Sequence, residues 1–231
     1  MKKVLCLIFL VILNSCSESK SQNSETKEGK VVCENVITFG DTKICFPKIA
    51  GLKECSNNKL VNNFIKEYYP KNYIVLGYYL KDSDYKLLID NNEISTSTDN
   101  YYVISSLEQL KNKKLEFQEI REIHNLSKSQ FEKSNWNNID SFVKKKLLNG
   151  SIDRPILIDS YTKENYISSV ILTKVKVAEN ERISIAIFNS LLIQNRLIYV
   201  NYYAEYIDDN SVVNAKKESN YFCLKLIDEN K

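Results

Sequence analysis

The sequence predicts an α+β protein: an antiparallel β-meander over about residues 154–206, within a sheet of six or more strands, covered by a C-terminal helix and by a long helix before the meander. Three observations predict it. Residues 154–161, 166–177, 182–193 and 196–206 form four segments crowded with β-branched and aromatic side chains. The gaps between them, down to the pair Gln194 and Asn195, are short and polar. They suit antiparallel neighbours, because a parallel crossover needs about a dozen residues or more and Asn tolerates the positive φ of a tight hairpin. After the fourth segment, Val212, Ala215, Ser219, Phe222 and Leu226 recur at helical spacing, with Cys223 beside them and Asp208 or Asp209 placed to cap. In the second segment Ile167, Ser169, Ile171, Thr173, Val175 and Val177 alternate against Lys174 and Lys176, so one face is expected to be buried under the last helix and the other partly wet.

From the beginning, two lysines precede a continuous apolar run of about ten residues ending at Leu13. A bilayer-spanning helix needs roughly 20, so the run reads as a signal-peptide core, residues 1–15. It closes on Leu13-Asn14-Ser15-Cys16, which resembles the lipobox of bacterial lipoproteins, with Asn14 standing where a smaller residue is usual. The resemblance implies cleavage before Cys16, a diacylglyceryl thioether on its sulfur and an acylated amino group. Stable anchoring follows at about 0.8 kcal/mol per buried methylene, without a spanning helix. An ordinary signal peptide with an incidental cysteine is the alternative. Residues 16–30 lack any large apolar side chain and read as a lipidated cysteine and flexible tether reaching about 20 Å. Ser17 follows the anchor where Asp would resemble an inner-membrane retention signal, which favours an outer-membrane or cell-surface location.

Residues 31–231 suit a single α+β domain. It opens with a small hairpin, 35–46, turning at Gly40 and Asp41. A helix capped by Asn57 or Asn58 carries Leu60, Val61, Phe64, Ile65 and Tyr68 on one side and stops at Pro70. A strand follows at 73–80, a polar loop at 90–100, and a strand at 101–104. Ser105 with Glu108 suggests a capping box for a short helix. Residues 115–126 mix strand and helix signals and stay undecided. Ser127 with Gln130 suggests another capping box, after which Trp136, Ile139, Val143 and Leu147 run at helical spacing to Gly150. Lys144-Lys-Lys146 reads as the wet face of that long helix.

This order of elements resembles the PsbP-like fold, shared by several bacterial lipoproteins and chaperones. The residues carrying the resemblance are Asn189-Ser-Leu-Leu-Ile193, Arg196-Leu-Ile-Tyr-Val-Asn-Tyr-Tyr203 and the last helix, ending Leu226-Ile-Asp-Glu-Asn230. The resemblance implies an assembly factor, chaperone or binding protein without chemistry of its own, although a fold does not settle a function.

The formal charge of +3 is spread with its signs interspersed, so no basic stripe for nucleic acid is present. Five scattered glycines make no phosphate-cradling loop, and no cofactor is expected. Beyond Cys16 and the leader, Cys33, Cys45, Cys55 and Cys223 remain. An exported chain can oxidise them, and Cys45 with Cys55, bracketing Pro47 and Gly51, is the expected disulfide. Cys33 is then left to pair with Cys223 or to stay reduced. The alternative is Cys45 as a buried thiol between Ile44 and Phe46. Zinc is disfavoured, since no CxxC pair exists and the sole histidine is remote.

That histidine, His124, reads as an exposed or partly buried helix residue. No Gly-x-Ser-x-Gly elbow accompanies it, and Ser127 and Ser129 read as caps. Asp82 with Asp84, and Asp208 with Asp209, read as turn and cap residues. Tyrosine doublets at Tyr78-Tyr79, Tyr101-Tyr102 and Tyr202-Tyr203 lie on strands, where neighbours point to opposite faces. Tyr78, Tyr79, Tyr202 and Tyr203 are therefore the expected binding surface, one of each pair outward, unless helices cover both faces.

The expected function is a lipid-anchored, non-enzymatic cell-envelope lipoprotein that binds or assists another envelope protein, touching the membrane through its lipid. The alternative is a hydrolase acting on a cell-envelope polymer through acidic residues. A deep pocket with paired carboxylates, or with His124 bonded to Ser or Cys, favours the enzyme. A shallow tyrosine-lined groove favours the binding module.

Overall fold

A computed structural model of the chain describes residues 33–91, 100–133, 139, 143, 154–177 and 180–231. The chain begins with the expected hairpin, β1 (Val36–Phe39) and β2 (Thr42–Cys45), turning through Gly40 at φ 64°. After β3 (Leu52–Glu54) comes α1 (Lys59–Tyr68). Asn58 caps it, its side chain accepting from the Leu60 amide at 2.8 Å, and Pro70, with no amide hydrogen, follows its end. Then follow β4 (Tyr73–Lys81), α2 (Asp82–Asn91), β5 (Tyr101–Leu107) and α3 (Phe117–Lys128). The meander is β7 (Ile156–Thr162), β8 (Tyr166–Val177), β9 (Asn180–Ile193) and β10 (Arg196–Glu205), preceded by the two-residue β6 (Glu132–Lys133). Gln194 at φ 46° and Asn195 at φ 62° make the tight β9–β10 turn. Helix α4 (Asp209–Asp228) closes the chain, with Asp208 and Ser211 in a reciprocal capping box.

Strands β3-β4-β5-β10-β9-β8-β7-β6 form one sheet, antiparallel throughout except for the β6–β7 edge. The α+β class and the C-terminal helix over the meander are as the sequence predicts. The long helix expected between about 127 and 150, with its lysine run, lies mostly outside the described residues. Its expected start, through Lys133, is instead the end of α3 and the short β6, and beyond that only Ile139 and Val143 are described, both packing in the main core.

The sheet is covered on both faces, and this changes the expected sidedness of β8. Tyr166, Val170 and Leu172 are buried on the α4 side, where Tyr161 and Tyr166 each donate a hydroxyl to Asn220 Oδ1 at 2.9 Å. Ile167, Ser169 and Ile171, the alternating set that was expected to lie under the last helix, are buried on the opposite face. There α3 lies over β8 and β9, while α1 and α2 pack on β4 and β5 through Val61, Phe64 and Leu88. A strand buried on both sides carries too little polar contrast for its alternation to say which helix covers it.

Two of the capping boxes that the sequence suggests do not form. Ser105 and Ser106 do not cap a helix: β5 runs through them, with Ser105 opposite Tyr199 of β10, and only a single 3-10 turn follows. Ser127 closes α3 instead of opening a new helix, its hydroxyl donating to the Ile123 carbonyl. Glu116 and Glu119 form the capping box that starts α3.

The expected Cys45–Cys55 disulfide is corrected: Cys45 is bonded to Cys33, with Cα atoms 5.8 Å apart, while Cys55 is a buried free thiol. Hairpin register is the reason. Val36 pairs with Cys45, so the residues just before β1 are carried alongside the end of β2. Cys55 instead turns toward β4, where its thiol donates to the Tyr78 carbonyl at 3.1 Å and burial pushes it up to about 12. Cys223, on the buried face of α4, is a free thiol in the core.

Arg196, 1% exposed at the start of β10, fastens this hairpin to the sheet by donating to Asp41 and to Thr42 Oγ1. The Arg196 guanidinium beside Asp41 holds that carboxyl below its usual range.

Candidate binding cleft

The tyrosine doublets point to opposite faces as expected, yet neither face is a surface. Tyr78, Tyr79 and Tyr202 are at most 3% exposed, and Tyr203 is partly buried. Tyr79, Tyr102 and Tyr202 stand in register under α4, with Phe222 at 5.0 Å from the Tyr79 ring and 4.4 Å from the Tyr102 ring. Tyr78, Tyr101 and Tyr203 stack on the other face at 5.6 and 4.7 Å, under α1. The expected exposed tyrosine surface is therefore corrected to two internal ladders. Alternation places side chains on faces, but only the helices decide whether a face meets water.

On the second face a cavity of about 450 Å³, floored by the sheet, lies between the residues that follow α1 and the C-terminal part of α3. Among the described residues six aromatic rings line it: Tyr69 and Tyr73 after α1, Phe131 after α3, and Phe188, Tyr199 and Tyr203 from β9 and β10. Phe131 lies nearly parallel to Phe188 at 6.2 Å, and Tyr203 meets Phe188 edge-on. Burial pushes the Tyr69, Tyr199 and Tyr203 hydroxyls up, so they stay neutral.

Polar groups sit at the bottom of the cleft. His124, expected near the surface, is only 4% exposed because α3 turns it onto the sheet. Its Nδ1 is 2.9 Å from Ser190 Oγ and its Nε2 is 2.8 Å from Ser169 Oγ. Burial, and then the nearby Lys128 charge, push His124 down to about 4, so the ring is neutral at pH 7. A neutral imidazole has one donor and one acceptor in its plane, so one serine gives its proton to the ring and the other accepts from it. Asn201 of β10 completes the floor. It is 8% exposed, and its Oδ1 has no hydrogen-bond partner. Lys128, at the mouth, reaches Ser160 Oγ at 3.4 Å.

Chemically, both imidazole positions are committed to serines. A Ser-His-acid relay needs one ring nitrogen on the nucleophile and the other on a carboxylate. A ring near 4 is also a weak general base at neutral pH. The acidic pairs lie elsewhere: Asp82 and Asp84 open α2, Asp208 caps α4, and Asp209 accepts the Tyr206 hydroxyl at 2.9 Å. Among the described residues no group of three or more His, Cys, Asp or Glu could hold a metal ion.

Of the residues singled out in the sequence, His124 and Tyr203 come together in this cleft, whereas Tyr78, Tyr79, Tyr202 and the cysteines do not line it. Sequence reasoning missed Ser169, Ser190 and Asn201. Their signal was there: polar residues inside otherwise apolar strands, with Ser169 set between the core residues Ile167 and Ile171.

No family model and no curated protein matches the chain. Among solved structures, the Ran-binding protein Mog1p of Saccharomyces cerevisiae is similar at 11% identity, over 84% of this chain and 90% of that one, with a TM-score of 0.31. A likeness of that size carries no argument about this chain.

Proposed function

We propose that the protein is a lipid-anchored, non-enzymatic lipoprotein of the cell envelope that binds another envelope protein, and that the cleft between α1 and α3 is its binding site. The observation that carries this reading is the cleft itself, with six rings around a neutral, hydrogen-bonded floor. Aromatic walls with a few placed polar groups are what binding pockets offer. The lipobox-like Leu13-Asn14-Ser15-Cys16 supports the anchor, and residues 16–30 the reach.

A photo-crosslinking residue at Gln130, which is exposed and lines the cleft, tests the binding site in living cells. A discrete adduct with one envelope protein, lost when Tyr199→Ala removes a wall, is expected. Crosslinking only from the outer face of α4 would move the site elsewhere.

One observation favours a second reading, a hydrolase: His124 touches two serine hydroxyls. A fluorophosphonate probe separates the two. The binding reading expects no label on Ser169 or Ser190, and a label abolished by His124→Gln would establish the hydrolase.

A further inference from the structure

The sheet buries two asparagines, and they differ in a way that points to a ligand. Asn189, on the α4 side, is satisfied: Nδ2 donates to the Val200 carbonyl at 2.7 Å and to Ser219 Oγ at 2.8 Å, and Oδ1 accepts from Ser168 Oγ at 2.6 Å. Asn201, on the cleft side, lies beside the Tyr69 side chain, yet its buried Oδ1 has no hydrogen-bond partner. Such a group costs stability unless something else completes it, and the soft terminal torsion of Asn lets the carboxamide turn toward the cavity it lines.

We propose that the cleft binds a neutral aromatic ring bearing one N–H or O–H, an indole or phenol, which stacks among the tyrosines and donates to Asn201 Oδ1. This rests on the reading of the cleft as a binding site and names its ligand chemistry. Charge at depth is unfavourable in either sign. Lys128 at the mouth opposes a cation, and among the described residues no charged side chain lies on the floor to receive an anion. An aromatic ring gains from edge and offset contacts with the walls, beyond its area, in a way that an aliphatic ring does not.

His124 is the sole histidine, so its ring resonances report on the cleft alone. The full-length lipoprotein in a non-aromatic detergent is titrated with phenol and anisole, indole and 1-methylindole, and cyclohexanol. Phenol and indole should shift the His124 signals and bind at least about tenfold more tightly than their methylated forms, the factor that corresponds to one buried hydrogen bond of about 1.4 kcal/mol. Asn201→Ala should erase that preference. Because the wild-type comparison stands without the variant, poor folding of the variant does not rescue the idea. Equal binding of the methylated rings overturns the donor assignment while leaving the binding site standing. Cyclohexanol binding as tightly as phenol overturns the aromatic assignment. Failure of every ring to move His124 overturns this inference, and crosslinking at Gln130 tests the site separately. Two further probes, N-acetyltryptophanamide and N-acetyltyrosinamide, distinguish the sources. Tighter binding than the free rings supports the class as a partner's side chain, and weaker binding supports it as a free small molecule.

Discussion

Asn189 and Asn201 face opposite sides of the same sheet, because Asn189 is paired with Val200 and Asn201 with Phe188 on adjacent strands. One amide is fully bonded, whereas the oxygen of the other has no partner. The first ties α4 to the sheet and the second floors a cavity.

Substitution should therefore have opposite signs at the two positions. Asn189→Val orphans Ser168 and Ser219 and is expected to cost about 3 kcal/mol, at roughly 1 to 3 kcal/mol per stranded group. Asn201→Val removes an unsatisfied oxygen and suits a strand, so stability should rise by about 1 kcal/mol while phenol binding is lost. Urea unfolding of both variants checks this, and a loss at both positions would contradict it.

The stability of the fold should fall with acid in a window set by His124. The folded ring titrates at about 4 and the unfolded one near 6.5. The unfolded state therefore binds the extra proton between those values. The contribution, about 3 kcal/mol, is complete above pH 6.5 and is lost as pH falls toward 4. In His124→Gln the slope between pH 6.5 and 5 should flatten, and denaturant melts across that range measure it.

Peptide mapping of oxidised protein should recover Cys33 joined to Cys45, with Cys55 and Cys223 alkylated only after unfolding. Closing a loop of that length is worth roughly 3 kcal/mol in the chain-entropy model. Reduction and Cys33→Ser should lower stability alike. Cys55→Ala should leave the disulfide intact and lose only the bond to Tyr78 and some packing.

Replacing Cys16 by Ser should release the protein from the membrane fraction and abolish incorporation of radioactive palmitate. Membrane retention without label would remove the lipid anchor from the proposal.

Much of the fold was legible in local pattern. The four meander segments, a cap at Asn57 or Asn58, Pro70 as a stop, the Gln194-Asn195 turn and a last cap at Asp208 or Asp209 all depend on backbone conformations that neighbouring residues prefer, and the structure selects Asn58 and Asp208. What failed was wherever distant chain decided. Ser105 looked like a cap until β10 claimed its strand, and Cys45 looked ready for Cys55 until hairpin register brought Cys33 to it.

The sequence by itself determined the class, the first hairpin, the four meander strands and the two-sided tyrosine doublets, since periodicity and turn chemistry are encoded within a few residues. Only the tertiary structure decided that both faces are covered, that α3 lays His124 on Ser169 and Ser190, and that a cavity opens over Asn201 between the end of α3 and the residues after α1. Those are distances between elements far apart in the chain, set by how helices pack on a twisted sheet. No local pattern carries them.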